Sequence, residues 1–434
     1  MNIFLLSLGC PKNLVDSETL SGVLTDAGYR IVGSPESAKI ILISTCAFIR
    51  QAIEESIESI LELAEFKKKG DCKKLIVLGC LVDRYKEQLL PLLPEVDAFI
   101  GLRALPYLAS WLKDGDLPPL ALEGPGWSLG HFLRRNLVYP HMAYVKIAEG
   151  CSNRCSFCTI PYIRGPLLSR PIAEIKEEVE MLVERGVKEI ILVAQDTTSY
   201  GIDIYGKQSL NELIYTLDKI DGLGWLRILY VHPKGVMKLT EAFYRSEHLV
   251  PYLDFPIQHI SDRILMAMGR GYRKKEVYKI IEYFRKNLPQ VALRTSVMVG
   301  FPGEDKDTFN ELVDFIRYAE FDFLGAFKYS REEGTRAFSL SDNVSEEEKE
   351  NRWRTVMDIQ REILWKKNKE RLGTVQDALI EEDGDGITIA RAPWQAPEID
   401  NQIYIEHQIE TGGIIKVRIT DILDYDLKGV PLLR

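Results

Sequence analysis

Residues 143–158, AYVKIAEGCSNRCSFC, constrain this chain more than any other stretch. The first half alternates apolar and polar residues around Tyr144 and Val145, the pattern of a strand, and Gly150 breaks it. Cys151, Cys155 and Cys158 stand at its end, so a C-x3-C-x2-C spacing delivers three thiolates from one tight loop. An iron-sulfur cube needs a thiolate on each iron for closed coordination. Three thiolates leave one iron open, much as a catalytic zinc site keeps one exchangeable position, and an open iron can hold a substrate. A zinc knuckle or a redox pair would need only Cys155 and Cys158. That reading leaves Cys151, the preceding strand and the aromatic Phe157 without a purpose.

A second set of cysteines is spread over three repeated units. Apolar strands are expected at 2–8, 39–45 (KIILIST) and 73–79 (KKLIVLG), followed by helical patterns at 16–29, at 50–69 and from Cys80 through Leu90. Alternating strands and helices with continuous apolar strands predict an α/β, doubly wound parallel sheet covered on both faces. The carboxyl ends of such strands share one edge, where ligands bind. Cys10, Cys46 and Cys80, spaced 36 and 34 residues apart, each end one unit and so converge on that rim. A free cysteine is ordinarily a small buried hydrophobe, but the placement of these three predicts a second three-thiolate cluster. Cys72 precedes its strand, at the opposite rim, and is read as structural.

The chain's 434 residues allow about two to four domains. Lys and Arg number 55 against 64 Asp and Glu, a net charge of −9, so no bulk basic field advertises nucleic acid. No run approaches the roughly 18 apolar residues of a membrane span. The start, MNIFLLSLGC, lacks a basic leader and reads as a strand rather than a signal. Seven cysteines without a signal segment point to a reducing, cytoplasmic setting.

Residues 1–115 form the expected first domain, and the Pro- and Gly-rich stretch 116–140 reads as a linker. Within it Arg134 and Arg135 read as a solvated pair, the alternative being a contact to a phosphate or an acidic partner. In 141–370, strands expected at 143–148, 189–195, 225–231, 252–257, 291–299 and 322–329 alternate with helices, which predicts an incomplete (β/α)6 barrel. Its chemistry belongs at the carboxyl ends of the strands, where the cysteine loop lies. Other strand ends are polar: Gln195-Asp196, Gln258-His259, 300–304 (GFPGE) and 330–333. Gly300 and Gly303 would admit close backbone approach to a nucleoside, or form a plain turn. His259 has no partner at ligand spacing and reads as a pocket residue. Arg164 and Arg170, in RGPLLSR, suit a carboxylate; equally, they are solvated cations beside a capping Ser169. A charged helix spans 345–372, with Ser345 and Glu348 as a capping box. Short strands at 375–381, 386–390, 402–406 and 414–420 then predict a small antiparallel β-barrel over 371–434, which carries twelve Asp and Glu against six Lys and Arg. An acidic barrel suits a basic protein better than a phosphate backbone.

The cysteine loop resembles the signature of the radical S-adenosylmethionine superfamily, in which an aromatic residue, here Phe157, precedes the last cysteine. The resemblance implies that Cys151, Cys155 and Cys158 hold a [4Fe-4S] cluster whose fourth iron is chelated by S-adenosylmethionine. It also implies a cofactor pocket, for which Phe157, Gln195, Gly300, Gly303 and Arg170 are the candidates. More narrowly, LGCPKNLVDSE, STCAFI, GCLVDRY, EGCSNRCSFC, VAQDTTSYG, VGFPGE, YSREEGT, APEID and DYDL resemble the methylthiotransferase family, in its ribosomal-protein, RimO-like branch. That resemblance spans nearly the whole chain. It implies an N-terminal methylthiotransferase domain, a radical barrel and a C-terminal TRAM domain. The implied reaction places a methylthio group on the β-carbon of an aspartate in the small-subunit ribosomal protein numbered twelve. It uses two [4Fe-4S] clusters and two S-adenosylmethionine molecules, the Cys10, Cys46 and Cys80 cluster carrying the sulfur. An electron donor such as flavodoxin or ferredoxin is implied, and no acid or base is identified. In the family the TRAM domain is often described as an RNA binder, which the acidic tail here argues against. The alternatives are a transfer-RNA adenosine methylthiotransferase of the same family and a non-enzymatic iron-sulfur scaffold. Salt-sensitive binding of transfer RNA would mark the first, and failure to cleave S-adenosylmethionine on reduction the second.

Overall fold

Alternate residues of a strand face opposite sides of its sheet, and the N-terminal strands are apolar on both. Ile41, Ile43, Leu75 and Val77 pack into one buried cluster, and Ile40, Leu42, Ile76 and Leu78 into another. The computed structural model, which describes residues 1–133, 135–384 and 386–432, places these strands in an all-parallel sheet. Its order is Arg30–Val32, Asn2–Ser7, Ile40–Thr45, Lys74–Gly79, Ala98–Ile100 and Leu120–Ala121. The doubly wound fold is as expected, with three further strands too short to show a period. The last of them comes from the expected linker, which also adds the helix Leu129–Phe132 and the buried Phe132. The first helix, Pro11–Asp26, starts at Pro11 rather than at Asp16 because proline's fixed φ suits the first helical position.

The second domain holds six parallel strands: Met142–Lys146, Glu189–Val193, Trp225–Ile228, Tyr252–Asp254, Ala292–Val299 and Phe323–Lys328. They form two three-stranded runs joined by a bridge between Leu226 and Leu249. Helices such as Ile172–Glu184, Pro233–Arg245 and Lys306–Ala319 cover the outside. This is the incomplete (β/α)6 barrel, with the cysteine loop directly after its first strand.

The helix Glu346–Arg371 begins where Ser345 Oγ accepts the Glu348 N–H at 3.2 Å and leads to Gly373. The C-terminal barrel beyond it is closed and has five strands, Val375–Gly384, Ile387–Arg391, Ile403–Ile405, Ile414–Leu423 and Asp426–Pro431. It is not wholly antiparallel. The fifth strand, which the sequence reading omitted, pairs parallel with Ile403–Ile405 and completes the closure.

Buried arginines tie the domains together. Arg135 pairs with Glu18 of the first helix and with Glu178 of a barrel helix, all three within the interior, so it is no solvated cation; Arg134 lies outside the described residues. Arg391 of the C-terminal barrel pairs with Glu189 at the start of a central-barrel strand, beside Arg227. Removing one partner of such a pair strands a buried charge, at a cost of about 3–5 kcal/mol. Among the described residues no helix is long and apolar enough to cross a membrane.

Candidate iron-sulfur site

Cys10, Cys46 and Cys80 follow three adjacent strands of the N-terminal sheet. Cys10 caps the helix Pro11–Asp26, and Cys80 opens the helix Cys80–Tyr85. Asn13 holds the rim together: its Nδ2 donates to the carbonyls of Leu8 and Thr45, both at 2.9 Å, while its Oδ1 faces the Cys80 sulfur at 3.6 Å. Gly9 has φ +92°, and a Cβ there would lie 2.7 Å from Cys46 Cβ and 3.1 Å from its sulfur. Only glycine lets the two loops approach this closely.

The loop 151–158 crosses the barrel mouth. Ser156 donates its N–H to the Met268 carbonyl at 2.9 Å and accepts the Ala337 N–H at 2.8 Å. Phe157 packs with Met268, Phe301 and Tyr329, so the aromatic beside the last cysteine anchors the loop to the far wall. Asn153 Nδ2 donates to Asp196 at 2.6 Å, and Arg270 donates to the Cys155 sulfur at 3.2 Å. At the base of the loop a Cβ on Gly150 would strike the carbonyls of Arg164, Gly165 and Pro166.

The two cysteine sets meet through residues 159–164. Thr159 Oγ1 donates to the Phe48 carbonyl at 3.2 Å, Ile163 joins the N-terminal core, and Arg164 Nη2 lies 3.4 Å from the Cys80 sulfur. Lys12 Nζ sits 3.5 Å above the Tyr230 ring, and Tyr230 holds φ +61°, unusual for a tyrosine. Its N–H is held by Asp254 at 2.8 Å.

Charge is distributed unevenly over the sulfurs. Burial pushes the Cys10 thiol up, but Lys12 and Arg164 outweigh it and leave its pKa below the ordinary value. Burial raises Cys46 and Cys151, and pushes Cys80 and Cys158 up to about 12. Ligation of a cation would deprotonate such thiols and release their protons. Among the described residues no group of three or more His, Cys, Asp or Glu is arranged to hold a metal ion. A cube, each of whose irons takes one thiolate, requires a wider triad than a single shared ion does.

The other expected site residues divide. Gln195 follows a barrel strand beside Asp196, and its Nε2 is buried without a partner, as an unmet ligand donor would be. Arg170 is held in part: Nη1 donates to Glu178 at 2.6 Å and to the Lys146 carbonyl at 2.8 Å, the guanidinium covers Phe132, and Nε and Nη2 are buried without a partner. Gly300 is crowded by the Lys349 stem and its N–H is already held by Glu304 at 2.9 Å, while Gly303 faces open space. His259 is fully buried, 3.6 Å from Glu304. Ser169 caps no helix; Pro171 precedes Ile172–Glu184 instead. Lys12 and Asn13 lie within LGCPKNLVDSE but are not singled out by the sequence as site residues, nor are Arg270 and Tyr230; the contacts of Lys12 with Tyr230, Asn13 with Thr45 and Arg270 with Cys155 are long-range. The two sulfur triads, each with a buried guanidinium beside it, and the unmet Gln195 donor fit iron-sulfur ligation and a polar cofactor.

Three family models match in chain order: the uncharacterized protein family UPF0004 over residues 2–101, the radical SAM superfamily over 145–316 and the TRAM domain over 372–432. Proteins named ribosomal protein uS12 methylthiotransferase RimO match nearly end to end. That of Clostridioides difficile is 42% identical, covering 99% of this chain and 98% of its own, and that of Aquifex aeolicus 44%, covering 99% and 97%. The chain belongs to the RimO family of radical SAM methylthiotransferases. It is therefore an enzyme whose cofactors are an iron-sulfur cluster and S-adenosylmethionine. The RimO-family barrel shares its fold with the radical S-adenosylmethionine methyltransferase TsrM of Kitasatospora setae, at TM-score 0.54 and 14% identity over 75% of this chain and 72% of that one. The cobalamin-dependent radical enzyme OxsB has TM-score 0.51 and 12% identity over 84% and 56%.

Proposed function

We propose that this enzyme methylthiolates the β-carbon of an aspartate in ribosomal protein uS12, using two [4Fe-4S] clusters and two molecules of S-adenosylmethionine. The observation that carries the reading is that the segment leaving the barrel triad packs on the N-terminal triad, with Arg164, six residues after Cys158, at 3.4 Å from the Cys80 sulfur. An unactivated C–H bond has no acidic proton, so a base cannot open it, and the sulfur donor must stand within contact of the carbon. The contact of the segment leaving Cys158 with Cys80 supports such an arrangement.

Cys151, Cys155 and Cys158 would hold one cluster and Cys10, Cys46 and Cys80 the other. When bound, the clusters and S-adenosylmethionine supply an electron, hydrogen-atom abstraction and the transferable methylthio group. The chain's own residues position and shield. Phe157 and Ser156 fix the loop across the mouth, Gln195 offers an unmet donor at the strand end, and Arg270 and Arg164 offset thiolate charge. Lys12 Nζ, 3.5 Å over the Tyr230 ring, adds a further contact between the domains beside Cys10. The net −6 of residues 371–434 supports a basic ribosomal protein over transfer RNA as the substrate.

The test is anaerobic. The iron-loaded, reduced enzyme is mixed with S-adenosylmethionine and uS12, and the uS12 is weighed. A gain of about 46 mass units on one aspartate, abolished by Cys151→Ala and by Cys10→Ala, is expected, since one SCH3 replaces one H. The same shift on transfer RNA with none on uS12 would replace the substrate.

A further inference from the structure

Arg164 spans the two cysteine sets. Its backbone carbonyl lies against Gly150, the residue before Cys151, where a Cβ would come within 2.8 Å of it. Its side chain is 1% exposed. Nη2 donates to Asn13 Oδ1 and lies 3.4 Å from Cys80 Sγ, while Nη1 donates to Glu149 at 2.8 Å and lies 3.6 Å from Asp16. Glu149 and Asp16 are already paired by Lys146. One lysine offsets one of these two carboxylates, and Arg164 Nη1 offsets the other; that pairing accounts for Nη1 alone, and the Nη2 contacts to Asn13 and the Cys80 sulfur lie beyond it. The barrel triad has a counterpart in Arg270, which donates to Cys155 at 3.2 Å and is likewise buried.

We propose that Arg164 is a positioning residue that registers the N-terminal cluster against the barrel mouth and raises its reduction potential through the N–H···S contact with Cys80. The inference rests on the two-cluster reading above. A thiolate-held cube is anionic and gains one more negative charge on reduction. A fixed guanidinium at a ligand sulfur, out of reach of water, stabilises that reduced form more than the oxidised one. No bond is made or broken, and the electron comes from the titrant. Because the same side chain grips Asn13, which holds the loops of Cys10 and Cys46 through the Leu8 and Thr45 carbonyls, it also fixes where the cluster sits relative to the segment leaving Cys158.

The experiment isolates the N-terminal cluster in the full chain carrying Cys151→Ala, Cys155→Ala and Cys158→Ala, and reads iron content and midpoint potential by dithionite titration. The parent should hold about four irons per chain. Arg164→Gln should shift the potential downward, Arg164→Lys by less, and Arg270→Gln not at all. Equal potentials for the parent, Arg164→Gln and Arg164→Lys, with iron retained, would overturn the role of Arg164 and leave the two-cluster reading standing. If Arg164→Gln fails to load iron, Arg164→Lys decides: a potential equal to the parent's overturns the inference, and a lower one upholds it. A parent without iron would overturn the two-cluster reading itself and the inference with it.

Discussion

Arg84 of the N-terminal domain and Glu332, just past the last barrel strand, meet at 2.8 Å with side-chain exposures of 9% and 5%. The same arginine donates to the carbonyl of Ala47, next to Cys46, at 2.7 Å, and the same glutamate accepts the Arg50 N–H at 2.8 Å. One ion pair thus joins a cysteine loop to the barrel's final loop. Glu332→Ala leaves Arg84 buried and unpaired, so a loss of about 3–5 kcal/mol is expected in urea unfolding. Glu332→Gln keeps an acceptor and should lose less.

Gly9→Ala tests the crowding at the N-terminal rim. A left-handed backbone costs a non-glycine residue about 1–2 kcal/mol, and the new methyl would overlap Cys46. The expected outcome is selective: iron content falls by about half while the site at 151–158 stays loaded. Metal analysis alongside S-adenosylmethionine cleavage checks it.

Two buried glutamates contribute to the acid sensitivity of the fold. Burial pushes the Glu178 and Glu189 carboxyls up, but Arg170 and Arg135 in the first case, and Arg227 and Arg391 in the second, outweigh it and hold both below the ordinary value of 4.5. A depressed folded-state pKa adds stability that is complete above the unfolded pKa and lost as pH falls through the folded one. Urea midpoints should therefore hold from neutrality to about pH 5 and decline below that. Glu178→Gln should be less stable at neutral pH and show a shallower decline.

Cys72 separates position from residue type. It is buried at the opposite end of the strand Lys74–Gly79 from Cys80, and its sulfur donates to the Lys74 carbonyl at 3.4 Å. Cys72→Ala should leave iron content unchanged and cost about 1 kcal/mol of packing. Cys80→Ala should lose the N-terminal iron.

The cysteine spacings and apolar strands determined the architecture from the sequence alone. Spacing along a chain is local, and a run such as KIILIST can satisfy its backbone and its side chains only inside a covered sheet. Strand ends then place Cys10, Cys46 and Cys80 on one rim whatever the helices do. The short strands Arg30–Val32 and Ala98–Ile100, the parallel closure of the C-terminal barrel and the burial of Arg135 had no local signal. A strand of three residues has no period, and a helix that buries Asp16, Ser17 and Glu18 looks like one facing water until its partners arrive. Lys12 stands beside Cys10 in the sequence, but tertiary structure alone brought the arginines to the sulfurs. Arg164 and Cys80 are 84 residues apart in sequence, and Arg270 and Cys155 are 115. Electrostatic partners at such separations are chosen by how distant elements pack, between domains for Arg164 and Cys80 and within the barrel for Arg270 and Cys155, through desolvation and the need to pair buried charge.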